Sequence, residues 1–274
     1  MNVVVGYDGS DFAMQALDWA MDEAELGKGT LTVCHAWRWP YGEADEEAKG
    51  HLRKAAEHVL WHGADCARHV STIAEVDTDL YQGPAARRLV ELSASADLVV
   101  AGSRGLGRLP ATVLGSVATE VAENARCPVV VVRGAGPLPS PSNPGPVVAA
   151  ITPDMWSAVM DFACHEAELR RLPVLAVDVS GPSAYGYALV TPPFLTPAWG
   201  EDVDEWRARF LGVEVTVRAG HGIPRKALLD ASREATLLVI GRSRPGHLDH
   251  LAQAMLRESH CPVAVVPAGD DLRR

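Results

Sequence analysis

Cysteine is scarce and unpaired in this sequence: Cys34, Cys66, Cys127, Cys164 and Cys261 form an odd, scattered set with no Cys-x-x-Cys. A secreted disulfide framework needs an even and dense set, and zinc ribbons or thioredoxin-type motifs need the close spacing, so these classes are excluded. An excess of basic charge is also missing. Lys and Arg number 25 against 35 Asp and Glu, a net charge of −10, which argues against a broad basic face for nucleic acid. No apolar run approaches the ~18 residues of a membrane span. The amino terminus, Met1-Asn2-Val3-Val4-Val5-Gly6, has no basic leader. The expectation is a soluble, reduced, cytoplasmic protein with neither a nucleic-acid nor a membrane partner.

What is present suffices for a large core. The chain has 274 residues, 47% hydrophobic and 22% charged, which suits one or two globular domains and excludes disorder or a coiled coil. It also reads as one unit written twice. Asp97-Leu98-Val99-Val100-Ala101-Gly102-Ser103-Arg104 followed by Cys127-Pro128-Val129 is answered by Thr236-Leu237-Leu238-Val239-Ile240-Gly241-Arg242-Ser243-Arg244 followed by Cys261-Pro262-Val263. Gly83-Pro84 answers Gly222-Ile223-Pro224, and Asp18-Trp19-Ala20 answers Asp161-Phe162-Ala163. The stretch 134–146 is rich in Gly, Pro and Ser and holds neither helix nor strand, so it reads as a linker between a domain over 1–133 and a second over 147–274.

Each copy alternates Val-rich runs with helical patterns. In the first copy the pattern predicts strands at 2–7, 30–36, 70–76, 97–102 and 128–133, and helices at 11–26, 44–69, 84–95 and 115–125. The runs lack strict alternation, as strands buried on both faces do. The predicted fold class is α/β, with two tandem doubly wound parallel five-stranded sheets. Ligands in such sheets bind outside the carboxyl ends of the strands, at the switch point.

A glycine loop follows the fourth predicted strand: Gly102-Ser103-Arg104-Gly105-Leu106-Gly107-Arg108-Leu109-Pro110, running on to Gly115-Ser116 at a helix start. It is no Walker A loop, since Arg108 and Leu109 stand where Lys and Ser/Thr belong. It is no dinucleotide fingerprint either, since Pro110 replaces the last glycine and the loop follows the fourth strand of the unit. What fits is Gly-x2-Gly-x9-Gly-Ser, met by Gly102, Gly105, Gly115 and Ser116. Together with Val-Gly-Tyr-Asp-Gly-Ser at 5–10, His35-Ala36-Trp37 and the Val-rich run after Cys127-Pro128, this resembles the ATP-binding signature of the universal stress protein family. The resemblance covers nearly all of 1–133 and, more loosely, 147–267.

The resemblance implies a tandem universal stress protein acting in the stress response, whose first half binds ATP, with or without Mg2+, through Asp8, Gly102, Gly105, Gly115 and Ser116. Tyr7, Arg104 and Val117 follow by adjacency. It also implies that the two halves pair through 128–133 and 261–267 as an intramolecular pseudo-dimer, and a homodimer is a further expectation. Physically, the two loop glycines let backbone approach phosphate. Gly115 and Ser116 open a helix whose first N–H groups suit an anion. Asp8, repelled by phosphate, would accept from the adenine amino group or ribose hydroxyls. The competing reading makes the glycines mere turns, Gly115 a close-packing position and Asp8 the cap of helix 11–26.

The second half is expected to be degenerate. Five residues are missing between its strand and the proline of Cys261-Pro262, Pro245 follows Arg244, Met255-Leu256 stand near where Gly-Ser would lie, and Ile151 takes the place of Asp8 by helix register. Arg242 and Arg244 are left as candidates for residual binding. The insert Ser180–Trp199, rich in Pro and aromatics, reads as a loop covering exposed core or as a docking lid. His58, His62, Cys66 and His69 share one predicted helix with Gly63, a residue that threatens to interrupt it. They read, like His247, His250 and His260, as surface residues rather than a metal site, and Cys127 and Cys261 as buried inert thiols. Neither a nucleophile elbow nor an evident general base accompanies the loop, so binding with a regulatory readout is expected over enzymatic turnover. Slow ATP hydrolysis and a nucleotide-independent interaction module are the alternatives.

Overall fold

Val3, Val4 and Val5 are each at most 2% exposed, and that burial on both faces makes their strand the centre of its sheet. The computed structural model describes residues 1–39, 42, 45–106, 114–133, 144–179, 205–219 and 223–268. The chain divides into two units, Met1–Gly136 and Pro137–Arg274.

The first unit runs β1 (Asn2–Gly6), α1 (Asp11–Leu26), β2 (Thr30–Trp37), α2 (Glu46–Val70), β3 (Val76–Gln82), α3 (Ala85–Leu92), β4 (Leu98–Gly102), α4 (Ser116–Asn124) and β5 (Val129–Val132). Its strands lie in the order β3-β2-β1-β4-β5, all pairs parallel. The chain builds outward from β1 to β3, then returns to lay β4 on the other side of β1. The switch point is therefore between β1 and β4, where Val3 pairs with Leu98 and Val5 with Val100. Ser10 caps α1, its hydroxyl accepting from Ala13 N at 3.2 Å, and Gly9 makes the turn before it at φ +78°.

The second unit runs β6 (Val147–Ile151), α5 (Trp156–Arg170), β7 (Val174–Asp178), a helical turn α6 at 205–209, β8 (Val215–Ala219), α7 (Pro224–Ser232), β9 (Leu237–Arg242), α8 (His250–Glu258) and β10 (Val263–Pro267). Its order is β10-β9-β6-β7-β8, again parallel. The predicted α/β class and the doubly wound parallel sheets are thus what the two units show. Of the linker stretch only 144–146 is described, and the insert Ser180–Trp199 lies outside the described residues.

Two expectations need correction. The third strand is at Val76–Gln82, not 70–76. Val70 instead ends α2, 71% exposed, and the strand itself reads Val-Asp-Thr-Asp-Leu-Tyr-Gln along the edge of the sheet, where half-exposed polar residues are tolerated. Gly63 does not interrupt α2. A Cβ at Gly63 would lie 2.7 Å from the Tyr7 ring, so this glycine admits a side chain from β1's end against the helix. Among the described residues no helix is long and apolar enough to cross a membrane.

Candidate functional site

At the carboxyl ends of β1, β2 and β4 lies a cavity of about 250 Å³, and all eight residues singled out in the sequence line it. Tyr7 and Asp8 come from the end of β1, Gly102, Arg104 and Gly105 from the loop after β4, and Gly115, Ser116 and Val117 from the start of α4. Apart from His35 on β2, small and apolar residues close the rest, among them Cys34 and Ala36 on β2, Ala85 and Leu89 on α3, and Ala13 on α1. Nothing in the sequence sets the α3 residues apart from ordinary core. Their part in the cavity follows from the crossover alone.

Tyr7 lines the cavity while its ring turns away. The ring is 3% exposed, packs on Gly63 and stacks on His62, and its hydroxyl lies 2.9 Å from His62 Nδ1. Burial, and then the negative groups of Cys66, Asp8 and Asp18, push the Tyr7 pKa up, so the hydroxyl keeps its proton. The backbone carbonyl of Tyr7 accepts from His35 Nδ1 at 2.7 Å. Tyr7 is thereby held at its backbone and its hydroxyl, which fixes the chain entering Asp8.

Asp8 does not cap α1; Ser10 does. The Asp8 carboxylate bridges two loops instead. Oδ1 accepts from Ser10 N at 3.0 Å and Ser10 Oγ at 2.6 Å, and Oδ2 accepts from Leu106 N at 3.1 Å. Each glycine proves to have its own neighbour. A Cβ on Gly105 would lie 2.5 Å from Asp8 Oδ2, and one on Gly102 would lie 2.7 Å from the backbone oxygen of Phe12. Gly102 is thus a close-packing glycine against the start of α1. Gly115 is tight rather than closed, its Cβ position 3.3 Å from Ser103 O.

Electrostatically the cavity has one cation and one carboxylate among its described lining residues, Arg104 and Asp8. Arg104 Cζ sits 4.1 Å above the Phe12 ring, a cation–π contact that holds the guanidinium at the site. The base of the loop is closed by Gly115 N donating to Ser103 O at 2.8 Å. Gly115 is the N-cap of α4 and brings no side chain to cap it, while Ser116 is exposed. The first N–H groups of a helix need partners, and among the described residues no side-chain cap supplies them. Cys34, at the opposite wall, has its pKa pushed up to about 12 by burial and then by Asp79, against the lowering effect of Arg88.

The second unit shows what happens without these features. Its corresponding cavity is about 80 Å³. Strand register corrects the expected correspondence. Val147 pairs with Leu237 as Val3 pairs with Leu98, which puts Thr152, not Ile151, at Asp8's position, and Asp161 follows Val147 one residue sooner than Asp18 follows Val3. Counting back from Cys261 as from Cys127, Asp249 takes Gly115's place, whereas Met255 and Leu256 are buried within α8. Asp249 caps that helix, Oδ1 accepting from Ala252 N at 2.7 Å. Ser243 stands where Arg104 does. The five-residue deletion is absorbed by a tight turn, Arg244-Pro245-Gly246-His247, closed by a bridge between Arg244 and His247 with Gly246 at φ +72°. The cavity that remains is lined by two carboxylates, Asp154 and Asp249, which repel an anion.

The histidines of α2 do not assemble a site. His58, His62 and His69 are exposed along the helix, and no group of three or more metal-ligating side chains occurs among the described residues. Cys127 and Cys261 are buried, at 4% and 1% exposure.

Comparison with known proteins places this geometry in context. The sequence model of the universal stress protein family matches residues 1–133 and 146–267. A universal stress protein of Mycobacterium tuberculosis is 30% identical over 270 residues, covering 96% of this chain and 95% of its own. Another, from Mycolicibacterium smegmatis, is 29% identical over 293 residues, covering 96% of each. Among solved structures, a universal stress protein from Archaeoglobus fulgidus superposes with a TM-score of 0.75 at 19% identity, covering 98% of both chains.

Proposed function

The chain belongs to the universal stress protein family, and from that membership we propose that it serves the stress response by binding ATP in its first half, at the cavity between β1 and β4. One observation carries the proposal: α4 begins on the cavity wall at Gly115 with no capping side chain, next to Arg104, whereas its counterpart α8 is capped by Asp249. A helix start with no side-chain cap among the described residues, on a cavity that Arg104 also lines, suits a phosphate. The apolar wall of Ala13, Cys34, Ala36 and Leu89 suits a planar base. The second half, with a self-capped helix and two carboxylates in a cavity a third the size, is proposed to bind no nucleotide.

The proposal is for binding with a conformational or partner-mediated readout, not for turnover. The one carboxylate among the described lining residues, Asp8, is engaged by Ser10 and Leu106, and the lining histidine, His35, is tied at Nδ1 to the Tyr7 carbonyl.

Thermal unfolding of the full chain with and without Mg-ATP tests it. At 100 times its dissociation constant, ATP adds about 2.7 kcal/mol to the state that binds it, which gives a clear rise in midpoint. Arg104→Glu, which reverses the charge beside α4, is expected to abolish that rise. The absence of any rise in protein shown to carry no nucleotide would refute the proposal.

A further inference from the structure

We propose that the first unit carries a second ligand site, for a small aromatic anion, in the slot between the start of α2 and the ends of β2 and β3. The site stands apart from the nucleotide reading above and does not depend on it. The slot is a cavity of about 410 Å³, and none of its described lining residues lines the cavity between β1 and β4. Of the run His35-Ala36-Trp37, the first two line that other cavity and Trp37 lines this one.

The fold leaves the slot open. α2 buries no residue before Ala56, so its first turns have no core beneath them. A helix in a protein is held mainly by packing one face, and this stretch borders a cavity instead. Gly50 stands in the same stretch and lines the slot. Glycine weakens a helix, and it is explained where something must come close. At Gly63 the close neighbour is the Tyr7 ring, whereas no described atom lies within 4 Å of a Cβ built on Gly50. The space beside Gly50 is unclaimed by the described residues.

The walls give the chemistry of the ligand. Trp37 and Gln82 are partners in the β2–β3 register, and both line the slot. Among the described residues, neither the Trp37 indole N–H nor the Gln82 side-chain amide has a hydrogen-bond partner in the protein. Lys49 and Arg53 lie four residues apart on α2 and so share a face. Lys49 Nζ stands 3.6 Å from Glu46 Oε1, too far for a hydrogen bond, and Arg53 uses only Nε, which donates to Glu57 Oε1 at 3.0 Å. The terminal guanidinium nitrogens of Arg53 remain as donors. Two cations thus stand against one carboxylate, Glu46, among the described lining residues. Free donors and a net positive wall suit an anion, and the indole suits a flat apolar ring.

Two-dimensional NMR of the full chain, titrated with phenyl phosphate, benzoate, inorganic phosphate and benzylamine, tests the site. Phenyl phosphate is expected to move the Gly50 amide and Trp37 indole signals saturably, with a dissociation constant on the order of 1 mM for so small a probe. Inorganic phosphate and benzylamine each lack one of the two ends and are expected to bind at least about tenfold more weakly. The benzoate arm shows whether a carboxylate serves as well as a phosphate, and saturable binding of either aromatic anion upholds the inference. Arg53→Glu should weaken phenyl phosphate by about tenfold or more. Gly50→Leu should do the same by filling the space, with an unfolding midpoint no lower than that of the unaltered protein, since leucine favours a helix. The inference is overturned if neither aromatic anion moves Gly50 and Trp37 saturably, or if benzylamine or inorganic phosphate binds as tightly as they do. Unchanged binding in Arg53→Glu, or in folded Gly50→Leu, overturns it as well. So do shifts at Gly105, Gly115 and Ser116 with Gly50 still, which put the probe in the other cavity.

Discussion

At the scale of single residues, spacing told which positions meet and not what each one does there. Gly102, Gly105, Gly115 and Asp8 are legible as a set because a sequence preserves the intervals that a loop must span. Their individual reasons are tertiary. Gly102 answers to the Phe12 carbonyl and Gly105 to Asp8, and neither partner is near in sequence. The competing reading of Asp8 as the cap of α1 is corrected by the structure, in which Ser10 caps and Asp8 bonds to Ser10. Gly63 carried a usable signal. A glycine inside an otherwise strong helix marks close approach by something, here the Tyr7 ring. Cys34 gives a pH-dependent prediction. Its ordinary pKa near 9 is pushed up to about 12 by burial, so between those values the unfolded chain has released a proton that the folded chain still holds. Stability is then lost as pH rises from about 9 towards 12, and is untouched below 9. Cys164, pushed up to about 11 by burial, adds to the same fall. Denaturant unfolding from pH 7 to pH 11 should show the decline, shallower in Cys34→Ser. Alkylation of folded protein at pH 8 should mark the half-buried Cys66 and spare Cys34, read by peptide mass spectrometry.

At the scale of elements, strands buried on both faces were the easiest to read. β1, β4 and β5 are Val-rich runs, and a run of that kind has few other stable uses. β3 was placed six residues too early because an edge strand need not be apolar. Asp77 and Asp79 stand inside it, and Asp79 is held there by Arg88, whose Nη2 lies 2.6 Å from Oδ2. The ends of α1 were read to the residue, with Gly27 and Gly29 following its last turn. The capping contrast between α4 and α8 is hidden when Met255-Leu256 are set against Gly115-Ser116, since it is Asp249 that stands twelve residues before Cys261 as Gly115 does before Cys127. Asp249→Ala removes the α8 cap and is expected to cost about 1 kcal/mol, measured by denaturant unfolding of the full chain. The same denaturant curves for Gly115→Ala serve as comparison, since that position has no cap to lose.

At the scale of the whole molecule, the duplicated reading of the sequence is matched by two units with the same strand order and the same crossovers. The repeat was legible because strands and their flanking turns survive divergence better than loops do. The difference in chemistry between the copies was legible only in outline, as a deletion and a missing glycine. The structure supplies the terms: a cavity of about 250 Å³ against about 80 Å³, Arg104 against Ser243, and an uncapped helix against one capped by its own carboxylate. Equilibrium dialysis with labelled ATP is accordingly expected to saturate at one nucleotide per chain; two would refute the assignment of the second half as non-binding. The Asp249 cap has a consequence outside the site itself. A helix that carries its own counter-anion is indifferent to the composition of the surrounding solution, whereas one that must borrow an anion is only as firm as the supply. Two descendants of one unit have thus parted in what they depend on. On the proposed reading, one half is a constant internal standard, and the other responds to the nucleotide supply around it within the same polypeptide.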